Sequence, residues 1–312
     1  MRKITSLSII ILLLCAATAA YAALPSSRYF HSGDGVINIS RARGGAAFSG
    51  RYRKADGAYD PAAMRKIYAV LGASYGNPIS AISPRLIEFL DYIQDHFNPQ
   101  GRISIASGFR SPSYNTNLRN NGKLAAKASL HQYGMAVDMS LSGVKSDAIW
   151  EFVKDLGFGG AGFYHGNLVH VDVGPARFWD EETSGVFTDK SDDNKLIELV
   201  DDKDIYLPGE PMELRFIRMT AFPIGVSTQF TLEQEQKPGE WKKAAEFAPQ
   251  LAVTTADACP SFADIGQMMG IKWTLPADLK PGRYRVRASF CNKEWEKMPD
   301  AVATPEFEVL AP

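Results

Sequence analysis

Ser129-Leu-His-Gln-Tyr-Gly-Met-Ala-Val-Asp138 is followed thirty residues on by Leu168-Val-His-Val-Asp172. Between them these segments supply His131, Asp138 and His170, two imidazoles and a carboxylate that must meet in the fold. That is the ligand set of a three-coordinate zinc site whose fourth position is left for water. The chain has only five histidines, and three of them (His131, His165 and His170) fall inside this window. Strand side chains alternate, so a strand over Met135 to Ser140 places Ala136, Asp138 and Ser140 on one face. A strand over Leu168 to Val173 likewise places Leu168, His170 and Asp172 on one face. Two such strands side by side can hold one ion between them. Each imidazole then needs a partner on its other nitrogen, and Asp172 is either that partner or the general base.

Upstream, Val36-Ile-Asn-Ile-Ser and Ala46-Ala-Phe-Ser-Gly-Arg-Tyr52 flank Gly44-Gly45, the pattern of a hairpin. Asp60-Pro61 and Ser83-Pro84 each read as an N-cap with proline at the first helical position. The apolar stripes that follow (Met64, Ile67, Tyr68, Leu71; then Leu86, Phe89, Leu90, Ile93, Phe97) are core faces. Arg102 to Ala106 reads as a strand, and a short helix near Pro112 carries Asn115 and Leu118. Residues 120–128 read as an exposed loop, and a helix over Ser146 to Leu156 ends at Gly157.

Length and charge bound the function. The 312 residues allow two domains. Met-Arg-Lys, an apolar run from Leu7 to Ala20 and Ala20-Tyr-Ala22 form a secretory leader, residues 1–22. The run is too short for a spanning helix, and no later stretch is apolar enough to span a membrane. Without Arg2 and Lys3 the balance is 32 basic to 35 acidic residues, which argues against a nucleic-acid partner. The two cysteines beyond the leader, Cys259 and Cys291, suit a disulfide in an exported protein.

The stretch from Trp179 to Lys195 turns acidic and polar and reads as the linker region, with 186–195 as the linker proper. After it come short alternating strands around Met212, Thr228, Tyr284 and Phe307, separated by Pro-Gly turns at 208, 238 and 281. The expected fold is therefore α+β. Residues 23–185 form a domain with a small antiparallel sheet and flanking helices, and residues 196–312 form an all-β immunoglobulin-like sandwich stapled by Cys259 and Cys291.

Several spaced motifs carry a family resemblance. Ser-x-His-x-x-Gly-x-Ala-x-Asp at 129–138, Ser107-Gly-Phe-Arg-Ser111 with Asn115, and Gly160-Ala-Gly-Phe-Tyr … Val-His-Val-Asp-Val-Gly-Pro-Ala-Arg-Phe-Trp179 resemble the zinc D-Ala-D-Ala metallopeptidase and murein endopeptidase group, nearest its endopeptidase K-like branch. The likeness spans about residues 30–180. It implies Zn2+ on His131, Asp138 and His170, peptidoglycan peptides as substrate, and Arg110 stabilising the substrate carbonyl or oxyanion. Carboxypeptidase relatives carry an acidic base three residues before the last ligand, where this chain has Asn167; Asp172 or His165 then takes the proton. Arg110 could instead pair with a scaffold carboxylate, His165 could be a plain loop residue, and Ser129 either touches substrate or makes a turn. Tyr164 and Trp179 read as packing, and Arg177 as an ion-pair partner or a substrate clamp. The expected activity is an exported peptidase of the periplasm or cell envelope that cuts peptidoglycan cross-links or stem peptides. The alternative is a zinc-stabilised cell-wall binding protein without turnover.

Overall fold

The computed structural model describes residues 27–77, 80–123, 125–183, 193–251, 257–292 and 294–311. The expected leader (1–22) and most of the expected linker lie outside these residues. β1 (Val36–Arg41) and β2 (Ala47–Arg51) form the antiparallel hairpin around Gly44-Gly45. α1 (Pro61–Leu71) starts where the Asp60 carboxylate accepts hydrogen bonds from the amides of Ala62 and Ala63. α2 (Pro84–Phe97) starts at its proline, without a side-chain cap from Ser83. Their apolar stripes are buried, with Ile67, Leu71, Leu86, Phe89, Leu90 and Ile93 wholly inaccessible.

β3 (Ile103–Ser107) leads into α3 (Pro112–Asn120), capped by Ser111 Oγ on the Tyr114 amide. A 3-10 turn, Leu130–Tyr133, precedes β4 (Ala136–Leu141), and α4 (Ser146–Leu156) ends on the left-handed Gly157. β5 (Gly160–Phe163), β6 (Val169–Asp172) and β7 (Arg177–Asp180) complete this part of the chain.

The sheet differs from the small antiparallel one expected. It has seven strands in the order β2-β1-β3-β4-β6-β5-β7, and the pairs β1/β3 and β5/β7 are parallel. The parallel β1/β3 pair follows from the helical crossover between them, since only a long connection can bring a strand back in the same direction. β5 escapes sequence reading because glycine depresses strand propensity. Here glycine is obligatory: a Cβ at Gly160 would collide with the Asp172 carboxylate, and one at Gly162 with the Trp179 indole. The reading of Trp179 as the start of a linker is thereby corrected, because Arg177–Asp180 is a paired edge strand. The 120–128 loop is mostly exposed, but Ala125 is buried against the fold.

Beyond residue 193 the chain is all β among the described residues, apart from a 3-10 turn at Gly266–Met268. Its strands are β8 (Glu198–Asp201), β9 (Ile205–Tyr206), β10 (Pro211–Ile217), β11 (Ile224–Val226), β12 (Phe230–Lys237), β13 (Glu240–Phe247), β14 (Ser261–Phe262), β15 (Ile271–Thr274), β16 (Gly282–Asn292), β17 (Ala301–Ala303) and β18 (Phe307–Val309). They form a three-stranded sheet, β15-β10-β8, and a larger sheet built on β13-β12-β16-β11-β14. Phe216 of the small sheet meets Phe230 and Phe290 of the large one, with ring centroids 6.4 and 5.6 Å apart, so apolar side chains fill the space between sheets. Cys259 and Cys291 are joined, their Cα atoms 6.0 Å apart.

The two parts share a buried polar seam. Arg85 of α2 is almost inaccessible and reaches Asp201 Oδ1 at 3.0 Å and Asp204 Oδ1 at 2.6 Å. Tyr133, in the turn that carries His131, accepts a hydrogen bond from the Met219 amide on its hydroxyl (3.0 Å) and from Arg215 on its carbonyl (3.2 Å). The β-unit is therefore fastened directly to the segment holding the first candidate ligand.

Candidate metal centre and its cavity

β4 and β6 are antiparallel neighbours in a register that sets Asp138 opposite His170. The 3-10 turn brings His131 to the same point: Asp138 Oδ1 lies 3.1 Å from His170 Nδ1 and 3.5 Å from His131 Nε2. One ligand atom from each of the three lies within 4.8 Å of the others, and all three residues are buried. An ion with bonds of about 2.0–2.1 Å in tetrahedral geometry sets its ligand atoms roughly 3.3 Å apart, so the spacing found here fits one.

The far nitrogens fix the tautomers. His131 Nδ1 lies 2.8 Å from the Gly108 carbonyl, which can only accept, so that nitrogen carries the proton and Nε2 keeps a free lone pair. His170 Nε2 lies 2.9 Å from Asp172 Oδ2. Burial alone would raise the Asp172 carboxyl, but Arg177 and the His170 hydrogen bond outweigh it and hold the group at about 2. Ionised Asp172 accepts from His170, leaving Nδ1 free to face Asp138. Burial lowers the His131 pKa; at His170 the same burial is outweighed by hydrogen bonds to Asp138 and Asp172, and its pKa is raised. Burial also opposes the Asp138 charge, but the two imidazoles more than offset it and hold that carboxyl well below its usual range.

Asp172 has no accessible surface and both its oxygens are engaged. Oδ1 accepts from the Gly174 amide (2.9 Å) and Arg177 Nη1 (3.0 Å); Oδ2 accepts from His170 and lies 2.6 Å from Arg177 Nη2. Both oxygens of this buried carboxylate are thus committed to donors, His170 among them. Arg177 serves as ion-pair partner and also lines the cavity. Arg110 donates to Asp138 Oδ2 at 2.7 Å and to Ser107 Oγ at 2.9 Å. Ser129 lines the cavity, and its hydroxyl does not cap the turn it begins.

His165 is not brought to this cluster. It stands on an exposed loop with positive φ (54°), bonded to Asp180 at 2.7 Å, and borders a separate depression. Sequence reading missed others that belong here. Tyr164, taken as packing, donates to Asp138 Oδ1 at 2.9 Å, and Trp179 lies 5.6 Å from the His170 ring; both line the cavity. The cavity, about 300 Å³, is also walled by Ala125, Ala126 and Ala128 of the supposed loop, and by Leu196 and Arg218 from the part of the chain beyond residue 193. Gly162 was the available signal for Trp179, since an indole lying over a strand demands a neighbour without a side chain. Nothing in local sequence marks Leu196 or Arg218.

Two imidazoles and a carboxylate beside a cavity rich in hydrogen-bond donors could hold a divalent metal ion. Residues 35–179 match the family described as Peptidoglycan L,D-endopeptidase MepK. Peptidoglycan L,D-endopeptidase MepK of Escherichia coli (strain K12) is 35% identical over 104 residues, 33% of this chain and 57% of the relative. The probable peptidoglycan L,D-endopeptidase MepK of Haemophilus influenzae is 29% identical over 146 residues, 46% of this chain and 78% of the relative. The match thus spans a little over half the length of the Escherichia coli relative. Among solved structures, the sporulation control protein Spo0M of Bacillus subtilis aligns with a TM-score of 0.23 at 12% identity, covering 37% of this chain and 49% of that one, a likeness too slight to carry an argument.

Proposed function

We propose that this chain is an exported zinc-dependent peptidase that hydrolyses peptide cross-links or stem peptides of bacterial peptidoglycan. The observation that carries the reading is the convergence of His131 Nε2, Asp138 and His170 Nδ1 on one point beside a donor-lined cavity. Those three side chains would hold the ion. Bound there, zinc supplies a Lewis acid for the scissile carbonyl and lowers the pKa of a coordinated water toward about 7. Arg110 and Tyr164, which both donate to Asp138, are the groups available to stabilise negative charge developing on the substrate oxygen. Ser129 offers its hydroxyl to the substrate backbone, and Asp172 keeps His170 in the ligating tautomer. Residues 23–185 form the peptidase domain, 186–195 the linker, and 196–312 an immunoglobulin-like sandwich. The leader at 1–22 directs the protein to the periplasm or cell envelope, where its polymer lies; among the described residues no helix is long and apolar enough to cross a membrane.

The test is incubation of the zinc-loaded protein with cross-linked muropeptides. Product release that is lost on chelation and in His131→Ala supports the reading. Full zinc occupancy with no cleavage of any muropeptide supports the second reading, a zinc-stabilised binding protein. That reading is favoured by the saturation of Asp172 and by the lack of a carboxylate among the described residues lining the cavity.

A further inference from the structure

Three guanidinium groups face the cavity: Arg110, Arg177 and Arg218. The described lining residues include no carboxylate, and each guanidinium has its carboxylate partner outside that lining: Asp138, Asp172 and Glu198. Two of the three have close partners, Arg110 on Asp138 at 2.7 Å and Arg177 on Asp172 at 2.6 Å. Arg218 is held more loosely, by one contact of 3.2 Å to Glu198 Oε1, and its side chain is 12% exposed. It lies outside residues 35–179, so the family match says nothing of it.

Its placement is built in several layers. Arg218 adopts a left-handed backbone (φ 60°), a conformation that costs a non-glycine residue about 1 kcal/mol or more and persists only where neighbours enforce it. The neighbours are on the page. The next residue, Met219, donates its amide to the Tyr133 hydroxyl beside His131. Asn194 Oδ1 accepts from the amides of Thr220 (2.8 Å) and Ala221 (3.2 Å), pinning the rest of the loop to the end of the linker. A strained cationic residue, aimed into a cavity and fixed from two sides, is a preorganised anion receptor.

The geometry points to Arg218, with Leu196 beside it, as a specificity subsite that takes a free carboxylate flanking the scissile amide of the cross-linked peptide. The β-unit thereby completes a substrate site whose metal ligands all come from the other part of the chain. This rests on the peptidase reading above for the identity of the peptide, though not for the preference itself. Conversion of that carboxylate to a primary amide removes the charge while keeping the shape.

The decisive measurement is calorimetric binding of the zinc-loaded full chain to two non-hydrolysable cross-linked analogues, one with that carboxylate free and one with it amidated. A charge-assisted contact of this kind gives about a tenfold to hundredfold preference for the free acid in the parent protein. Arg218→Gln brings the two affinities to within about threefold, and Arg218→Lys restores part of the gap. Leu196→Glu, at a position 45% exposed where a polar residue is readily folded, also cuts the preference by placing a negative charge on the same wall. No preference in the parent protein overturns the inference, as does an undiminished preference in Arg218→Gln and Leu196→Glu. Turnover of the hydrolysable dimer is scored separately: no cleavage with an intact acid preference sinks the peptidase reading and leaves the carboxylate subsite standing.

Discussion

Asp172→Asn separates the two roles that sequence reading leaves open for that residue. The native carboxylate offers four lone-pair directions to four donors: the Gly174 amide, both terminal nitrogens of Arg177, and His170 Nε2. An amide keeps one oxygen and turns an NH2 group toward two donors at 2.6–3.0 Å, whichever way it is flipped. Two charge-assisted bonds are lost, each worth about 1.5–3 kcal/mol, so unfolding free energy at neutral pH falls by roughly 3–6 kcal/mol. Loss of the orienting group from a ligand histidine weakens metal binding by about tenfold to a hundredfold. The pH dependence has a defined sign. The carboxyl sits at about 2 in the fold against a usual 3.8, so its contribution is fully present above about pH 4 and is lost as pH falls toward 2. That difference corresponds to about 2 kcal/mol, which the parent protein loses on acidification and the variant lacks. Urea unfolding across pH 2–7 and zinc affinity by chelator competition read both effects. Unchanged stability and zinc affinity with turnover alone reduced would refute the orienting role and return Asp172 to the position of general base.

Three other perturbations follow from particular contacts. Gly162→Ala drives a methyl group into the Trp179 indole; an overpacking cost of about 1–3 kcal/mol and a changed tryptophan emission are expected, with substrate binding weakened more than zinc binding. Arg85→Ala strands Asp201 and Asp204 without their buried cation, so denaturant unfolding should show a loss of about 3–5 kcal/mol; a change under 1 kcal/mol would mean the seam between the two parts is held elsewhere. Tyr164→Phe removes a single hydroxyl from Asp138, and metal analysis should find zinc retained while kcat falls about tenfold or more.

Particular residues show where sequence reading reaches its range. Asp60, Pro84 and Gly157 mark helix ends because an N-cap carboxylate, a first-turn proline and a left-handed glycine are local chemistry within a few residues of the chain. Alternation along 135–140 and 168–173 puts Asp138 and His170 on strand faces, but no local signal sets two strands 32 residues apart in register. The glycine-rich β5 hides from propensity because its glycines answer to Asp172 and Trp179, partners that arrive later in the chain. His165 looks like a third active-site histidine by proximity in sequence, yet a left-handed turn and Asp180 hold it on the surface.

From the chain alone came the inventory: three potential ligands of a divalent ion, an N-terminal stretch patterned like a secretory leader, two cysteines fit to pair, and two parts of different periodicity. Those properties depend on residue type and on spacing within one strand or helix, which the sequence states outright. Only the folded protein decided which nitrogen of each imidazole is free, that Asp172 is enclosed by donors, and that Arg218 from the far part of the chain lines the same cavity as His131 and His170. Such outcomes are set by which distant surfaces come to lie within about 3.5 Å of each other, the range over which a hydrogen bond or close ion pair forms.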